Sequence, residues 1–198
     1  MKFDLFSRFI FPIAITLTVA SCTTGLPTVN ERSDVQSGKK SVVLLRITCE
    51  LIKDNTPIEA FPGGMSASVM ILKGGPIIGG KVDVAGALRF LSPETRKQGW
   101  VFFYLEPGIH YLVFEGMASG AGMYYSPRYE AKIPENSPVV YIGSMHLYCE
   151  SPYIFETACG TFDKGRMIVS NEEIKAKKLQ KEFLPDLGSL QTVLMERL

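Results

Sequence analysis

Histidine occurs only twice in this chain of 198 residues, as His110 and His146, and no two cysteines stand in a C-x-x-C spacing. Zinc draws three or four ligands from such spacings, so no metal site is expected, and both histidines read as half-buried strand residues. An excess of charge is missing as well. The chain holds 21 basic and 20 acidic side chains, and removing residues 1–21 with Lys2, Arg8 and Asp4 leaves 19 of each. A polyanion is held by displacing its counterions with clustered cations, so nucleic acid is not an expected partner. Apolar runs are short, the best being the twelve residues 9–20, whereas a membrane-spanning helix needs about 17–25. Motifs of catalysis are incomplete. Gly75-Pro76-Ile77-Ile78-Gly79-Gly80-Lys81 meets seven positions of a phosphate loop, but Val82 stands where a hydroxyl should hold Mg²⁺. Gly64-Met65-Ser66-Ala67-Ser68 lacks the second glycine of a nucleophile elbow. Asp83, Glu94, Glu106 and Glu115 show no spacing that selects a carboxylate pair. No cofactor is expected.

What is present begins at the amino terminus. Lys2 and Arg8 flank the apolar residues 9–19, and Val19-Ala20-Ser21-Cys22 follows. Charged flank, short apolar run and small residues make an export signal. The four residues resemble the lipobox of bacterial lipoproteins. The resemblance implies diacylation of the Cys22 thiol, cleavage before it and acylation of the new amino terminus. It also implies, because Thr23 is not the aspartate of inner-membrane retention, a lipid anchor in the outer membrane facing the periplasm. The bilayer is then a partner through Cys22.

Residues 23–40 carry Gly25, Pro27, Asn30, Ser33, Asp34, Ser37 and Gly38 with few large apolar side chains. Such composition predicts a flexible tether over 22–40, able to extend roughly 60 Å at 3.3–3.6 Å per residue. A domain over 41–169 follows. Val43, Leu45, Ile47, Cys49 and Leu51 alternate with Arg46, Thr48 and Glu50, the period of a half-buried strand. Further strands are expected at 68–72, 81–90, 100–105, 109–115, 139–147, 153–157 and 166–169, divided by proline and glycine breakers. The count predicts a mainly β fold, an antiparallel β-sandwich. Residues 100–111, a strand, Pro107-Gly108 and an aromatic strand, resemble transthyretin-like and carboxypeptidase-regulatory-like sandwiches. Val139-Val140-Tyr141-Ile142-Gly143 is similar to a strand of envelope lipoproteins.

The tail, 170–198, reads as helical. Ser170 and Glu173 have the spacing of a capping box ahead of a helix over 171–183. Leu190, Val193, Leu194 and Leu198 then suggest a second helix with one apolar face. Lys175, Lys177, Lys178 and Lys181 read as a solvated face, or as one attracted to anionic lipid or glycan. Of the cysteines besides Cys22, Cys149 and Cys159 read as too far apart across the Glu150-Ser151-Pro152 turn, so Cys49 is the expected partner of either, as in a Cys49–Cys149 disulfide, and three buried free thiols are equally open. Residues 116–129 join Gly116, Gly120 and Gly122 to Tyr124, Tyr125, Arg128 and Tyr129. Tyrosine and arginine dominate binding hot spots, so these four are candidate partner-binding residues, unless 124–132 is an edge strand. The sequence therefore predicts an envelope lipoprotein with a non-catalytic binding or scaffold role toward an envelope protein or glycan. The alternatives are an envelope hydrolase acting on glycan or peptide, and a lipoprotein subunit of a secretion assembly.

Overall fold

Val42, Val43, Leu44 and Leu45 follow one another in a single strand, and all four are completely buried. A half-buried strand hides every second side chain, so four in succession require cover on both faces. The computed structural model supplies it, and describes residues 23–60, 68–73, 88–116, 124–152, 159–162 and 166–198. The expected export signal, Cys22, Ser66, Asp83, the glycine-rich stretch 74–80, residues 81–87 of the strand expected at 81–90 and the strand expected at 153–157 lie outside the described residues.

The elements run β1 (Thr23–Thr24), α1 (Val29–Gln36), β2 (Ser41–Leu51), β3 (Pro57–Ile58), β4 (Ser68–Lys73), β5 (Arg89–Phe90), α2 (Pro93–Lys97) and β6 (Trp100–Leu105). They continue as β7 (Gly108–Gly116), β8 (Tyr124–Ile133), β9 (Val139–Pro152), β10 (Cys159–Phe162), β11 (Ile168–Ser170), α3 (Glu173–Phe183), a 3-10 turn (Pro185–Leu187), β12 (Leu190–Thr192) and β13 (Glu196–Arg197). The larger sheet has the order β1-β5-β6-β2-β9-β10, with β3 beside β2 and with β11 and β12 beside β9; the smaller has the order β13-β8-β7-β4. Val43, Leu45, Ile47, Phe103, Val140 and Met145 on one face of the larger sheet meet Leu112, Tyr129, Ala131 and Ile133 of the smaller. Its other face presents Val42, Leu44, Phe102, Val139 and Tyr141 to Val35 of α1, Ala176 and Leu179 of α3, and Leu187. The described chain is thus a mixed α/β fold of three layers: small sheet, large sheet, helices.

Two sheets packed face to face were expected, but not the strand directions. β2 runs parallel to β9, as β1 does to β5 and β12 to β9, so the fold is not a purely antiparallel sandwich. Continuous apolar runs mark parallel strands covered on both sides, and the run Val42–Leu45 has that character.

The expected tether is also corrected. Thr23 and Thr24 pair with Arg89 and Phe90, and the Gly25 N–H donates to the Phe90 carbonyl at 3.0 Å. Thr28 and Glu31 form a capping box at the start of α1. Eight residues make a marginal helix alone, and this one is fixed by the buried Val35, by Glu31 against Arg89 at 2.7 Å and by an Arg32–Asp186 ion pair. One apolar side chain and two ion pairs hold a polar segment that composition alone assigns to solvent.

At the carboxyl end the first helix starts at Glu173. Its cap is Glu172, whose own side chain makes no capping hydrogen bond, and Ser170 belongs to β11. No second helix forms. The segment after the 3-10 turn becomes β12 and β13, because open edges of β9 and β8 satisfy its backbone. Met195, buried among the inter-sheet residues beside the partly buried Val193, gives that segment its period of two.

The cysteines are settled in part. Cys49 is a free, buried thiol whose pKa burial pushes up to about 12, whereas Cys149 is disulfide-bonded. The Cys49–Cys149 pairing therefore does not form. Cys49 faces Leu147 and Cys149 faces Leu51, a two-residue offset on parallel neighbours. That offset separates the α-carbons by about 8 Å, beyond the reach of about 7 Å for a disulfide.

Candidate functional site

β9 carries an extra residue against β2: Leu44 pairs with Tyr141 and Arg46 with Ser144. The bulge falls at Gly143, whose φ of 118° suits glycine alone. Three residues apart, Tyr141 and Ser144 would point to opposite faces of a regular strand. The bulge turns both toward the helices, where the Tyr141 hydroxyl and Ser144 Oγ lie 2.8 Å apart. Glu172 closes the group. Ser144 Oγ donates to Glu172 Oε2 at 2.8 Å, Arg46 donates to the same oxygen at 2.6 Å, and Lys175 reaches Oε1. The Glu172 N–H donates to the Tyr141 hydroxyl at 3.0 Å, while the next N–H, of Glu173, donates to Asn171 Oδ1 at 3.0 Å, so the start of α3 is tied to β9 and capped by Asn171.

Beside the network opens a cleft of about 340 Å³, lined by Arg46, Gln98, Trp100, Lys175, Lys178, Glu182 and the buried Leu179. Arg46 lies over the Trp100 ring, 5.8 Å from its centroid, and its Nε donates to the Gln98 carbonyl at 3.0 Å. Three cations thus stand around a cleft whose lining has one carboxylate, with Glu172 behind Arg46 and Lys175. A small anionic group fits that balance.

Burial would raise the Glu172 carboxyl, but hydrogen bonds from Lys175, Arg46 and Ser144 outweigh it and hold the group at about 2, against an ordinary 4.5. A carboxyl depressed on folding contributes stability that is complete above its unfolded pKa and lost as pH falls toward and through the folded one. Solvent screens part of this network, so the linked contribution is on the order of 1–2 kcal/mol. Between pH 4.5 and 2 the melting temperature of the wild type should therefore fall more steeply than that of Glu172→Gln, which should be the less stable protein at pH 7. Equal slopes in thermal melts would remove Glu172 from this role.

A second constellation stands further along the same face. Thr48 Oγ1 is 2.8 Å from His146 Nδ1, and His146 Nε2 is 3.4 Å from Glu50 Oε2. Sequence reading missed this hydroxyl, imidazole and carboxylate, although Thr48 and Glu50 share one side of an alternating strand. Only the parallel β2–β9 register brings His146 opposite Thr48. His110 is buried, with Nε2 2.8 Å from the Glu106 carbonyl. Among the described residues no cluster of histidine, cysteine and carboxylate side chains could hold a metal.

The aromatic candidates are not a loop. Tyr124, Tyr125, Arg128 and Tyr129 all lie on β8, within the smaller sheet and paired with β7. Tyr129 is 1% exposed and packs between the sheets, which removes it as a partner-binding residue. The side chains of Tyr124, Tyr125 and Arg128 lie outside the described residues. The cleft residues were legible singly, as a lysine-bearing helix and a strand arginine, but nothing in their spacing joins Arg46, Trp100 and Lys178. No family model, curated protein or solved structure matches this chain.

Proposed function

We propose that this protein is a lipoprotein of the bacterial envelope, held at the outer membrane by acyl chains on Cys22, and that its role is non-catalytic binding of an acidic envelope glycan or protein. The observation that carries the reading is Val19-Ala20-Ser21-Cys22 behind a charged flank and a short apolar run. The cleft at Arg46, Trp100 and Lys178 supplies a place for the acidic group. Glu172, ionised down to about pH 2, is poorly matched to general-base work at neutral pH. Thr48 stands on a sheet whose backbone N–H groups lie in its plane, with none directed out of the face to hold an oxyanion. Both features favour binding over hydrolysis.

The test is purification from envelopes in mild detergent, comparing the wild type with Lys178→Glu, a change at an exposed cleft cation outside the Glu172 network. The wild type should retain an acidic glycan or protein that the variant loses, with melting temperatures nearly equal. Equal retention by both proteins, or recovery of nothing with either, contradicts the binding role.

A further inference from the structure

We infer that the domain is seated directly on the bilayer that holds it, with Leu26 and Val29 in the lipid interface. The inference rests on the lipid anchor proposed at Cys22. An anchor at that residue precedes Thr23 by one peptide bond, and Thr23 is already fixed in the ladder with β5. One residue spans at most about 3.6 Å. The domain thus has no free chain on which to stand away from the membrane, because the residues that composition assigns to a tether are spent on β1, the Gly25–Phe90 hydrogen bond and α1.

The side chains nearest the anchor suit that position. Leu26 is 49% exposed and Val29 is 83% exposed, four and seven residues after Cys22. Val35, later in the same helix, is buried against the larger sheet. The helix therefore hides one apolar side chain in the core and leaves another, at the end nearest the proposed anchor, largely exposed. A second interfacial contact beside acyl chains strengthens attachment and fixes orientation. Ile174 is equally exposed, at 86%, but it stands at the start of α3, whereas α1 meets the 3-10 turn after that helix ends. About 15 Å of helix lies between Ile174 and the end of α3 that precedes that turn. A seated domain confines binding to groups close to its own membrane.

The test uses the full acylated chain in vesicles of phosphatidylethanolamine and phosphatidylglycerol containing lipids brominated on the acyl chain. Val29→Trp and Ile174→Trp are compared with the wild type, whose single tryptophan, Trp100, is buried. Brominated lipid should roughly halve the emission added at position 29 and leave that added at position 174 unchanged, as expected for an interfacial side chain and a remote one. No quenching at position 29 in protein whose mass shows acyl chains on Cys22 overturns the seating and leaves the anchor standing, as does equal quenching at both positions. A mass without acyl chains on Cys22 overturns the anchor and the seating together.

Discussion

Gly99→Ala should cost about 3–5 kcal/mol, lowering the melting temperature by about 10 °C in a chain of this size. Gly99 has a φ of 83°, and a β-carbon built there would lie 1.8 Å from the Ile47 carbonyl oxygen, a backbone atom that cannot swing aside. The close approach is what joins the edge of β6 to β2: the Ile47 N–H donates to the Gly99 carbonyl at 2.8 Å, and the Gly99 N–H ends α2 on the Arg96 carbonyl. The neighbours on either side belong to the cleft. Gln98 receives Arg46 and Trp100 lies beneath it, so parting the strands should also abolish retention of an acidic partner at temperatures where the variant is still folded. Thermal melts and the envelope purification read the two effects. A loss under about 1 kcal/mol, the ordinary cost of a misplaced alanine, would show that β2 and β6 do not approach so closely.

How much of this was legible follows from the range over which each signal acts. The alternation of Val43, Leu45 and Ile47 was readable because every second side chain of β2 answers to one layer, the smaller sheet. Val42 and Leu44 were not assigned to a second buried face, because their cover comes from residues 29–36, which composition assigns to a tether, and from residues 173–187 at the other end of the chain. Strand direction was equally hidden, since a parallel and an antiparallel neighbour impose the same period of two. Leu190 and Leu194 matched a helical face only while Met195 was left out of account; the edges of β9 and β8, not the local pattern, decided the outcome. The candidate site was less legible still. Ser144 reaches Glu172 through a bulge at Gly143, and a bulge changes the face of every later residue without a mark in the residue types.

Cys22→Ala should abolish acylation of the protein and leave its export signal uncleaved. Each acyl chain contributes about 0.8 kcal/mol per buried methylene, and attachment by one chain is marginal where two or three are firm. On the proposed reading, removing the thiol removes the site of diacylation and, with it, the processing that frees the amino terminus, so the apolar segment 9–20 stays on the chain. Cys22 is the one acylated residue of the proposed reading, so the loss of label should be complete and not graded. The direct measurement is metabolic labelling with a fatty-acid analogue in cells producing either the wild type or Cys22→Ala, followed by separation of membrane and soluble fractions. The wild type should carry label and sediment with the membranes, while the variant carries none and is not held there by lipid. Label persisting in the variant, or an unlabelled wild type whose mature chain begins at another residue, would contradict the account.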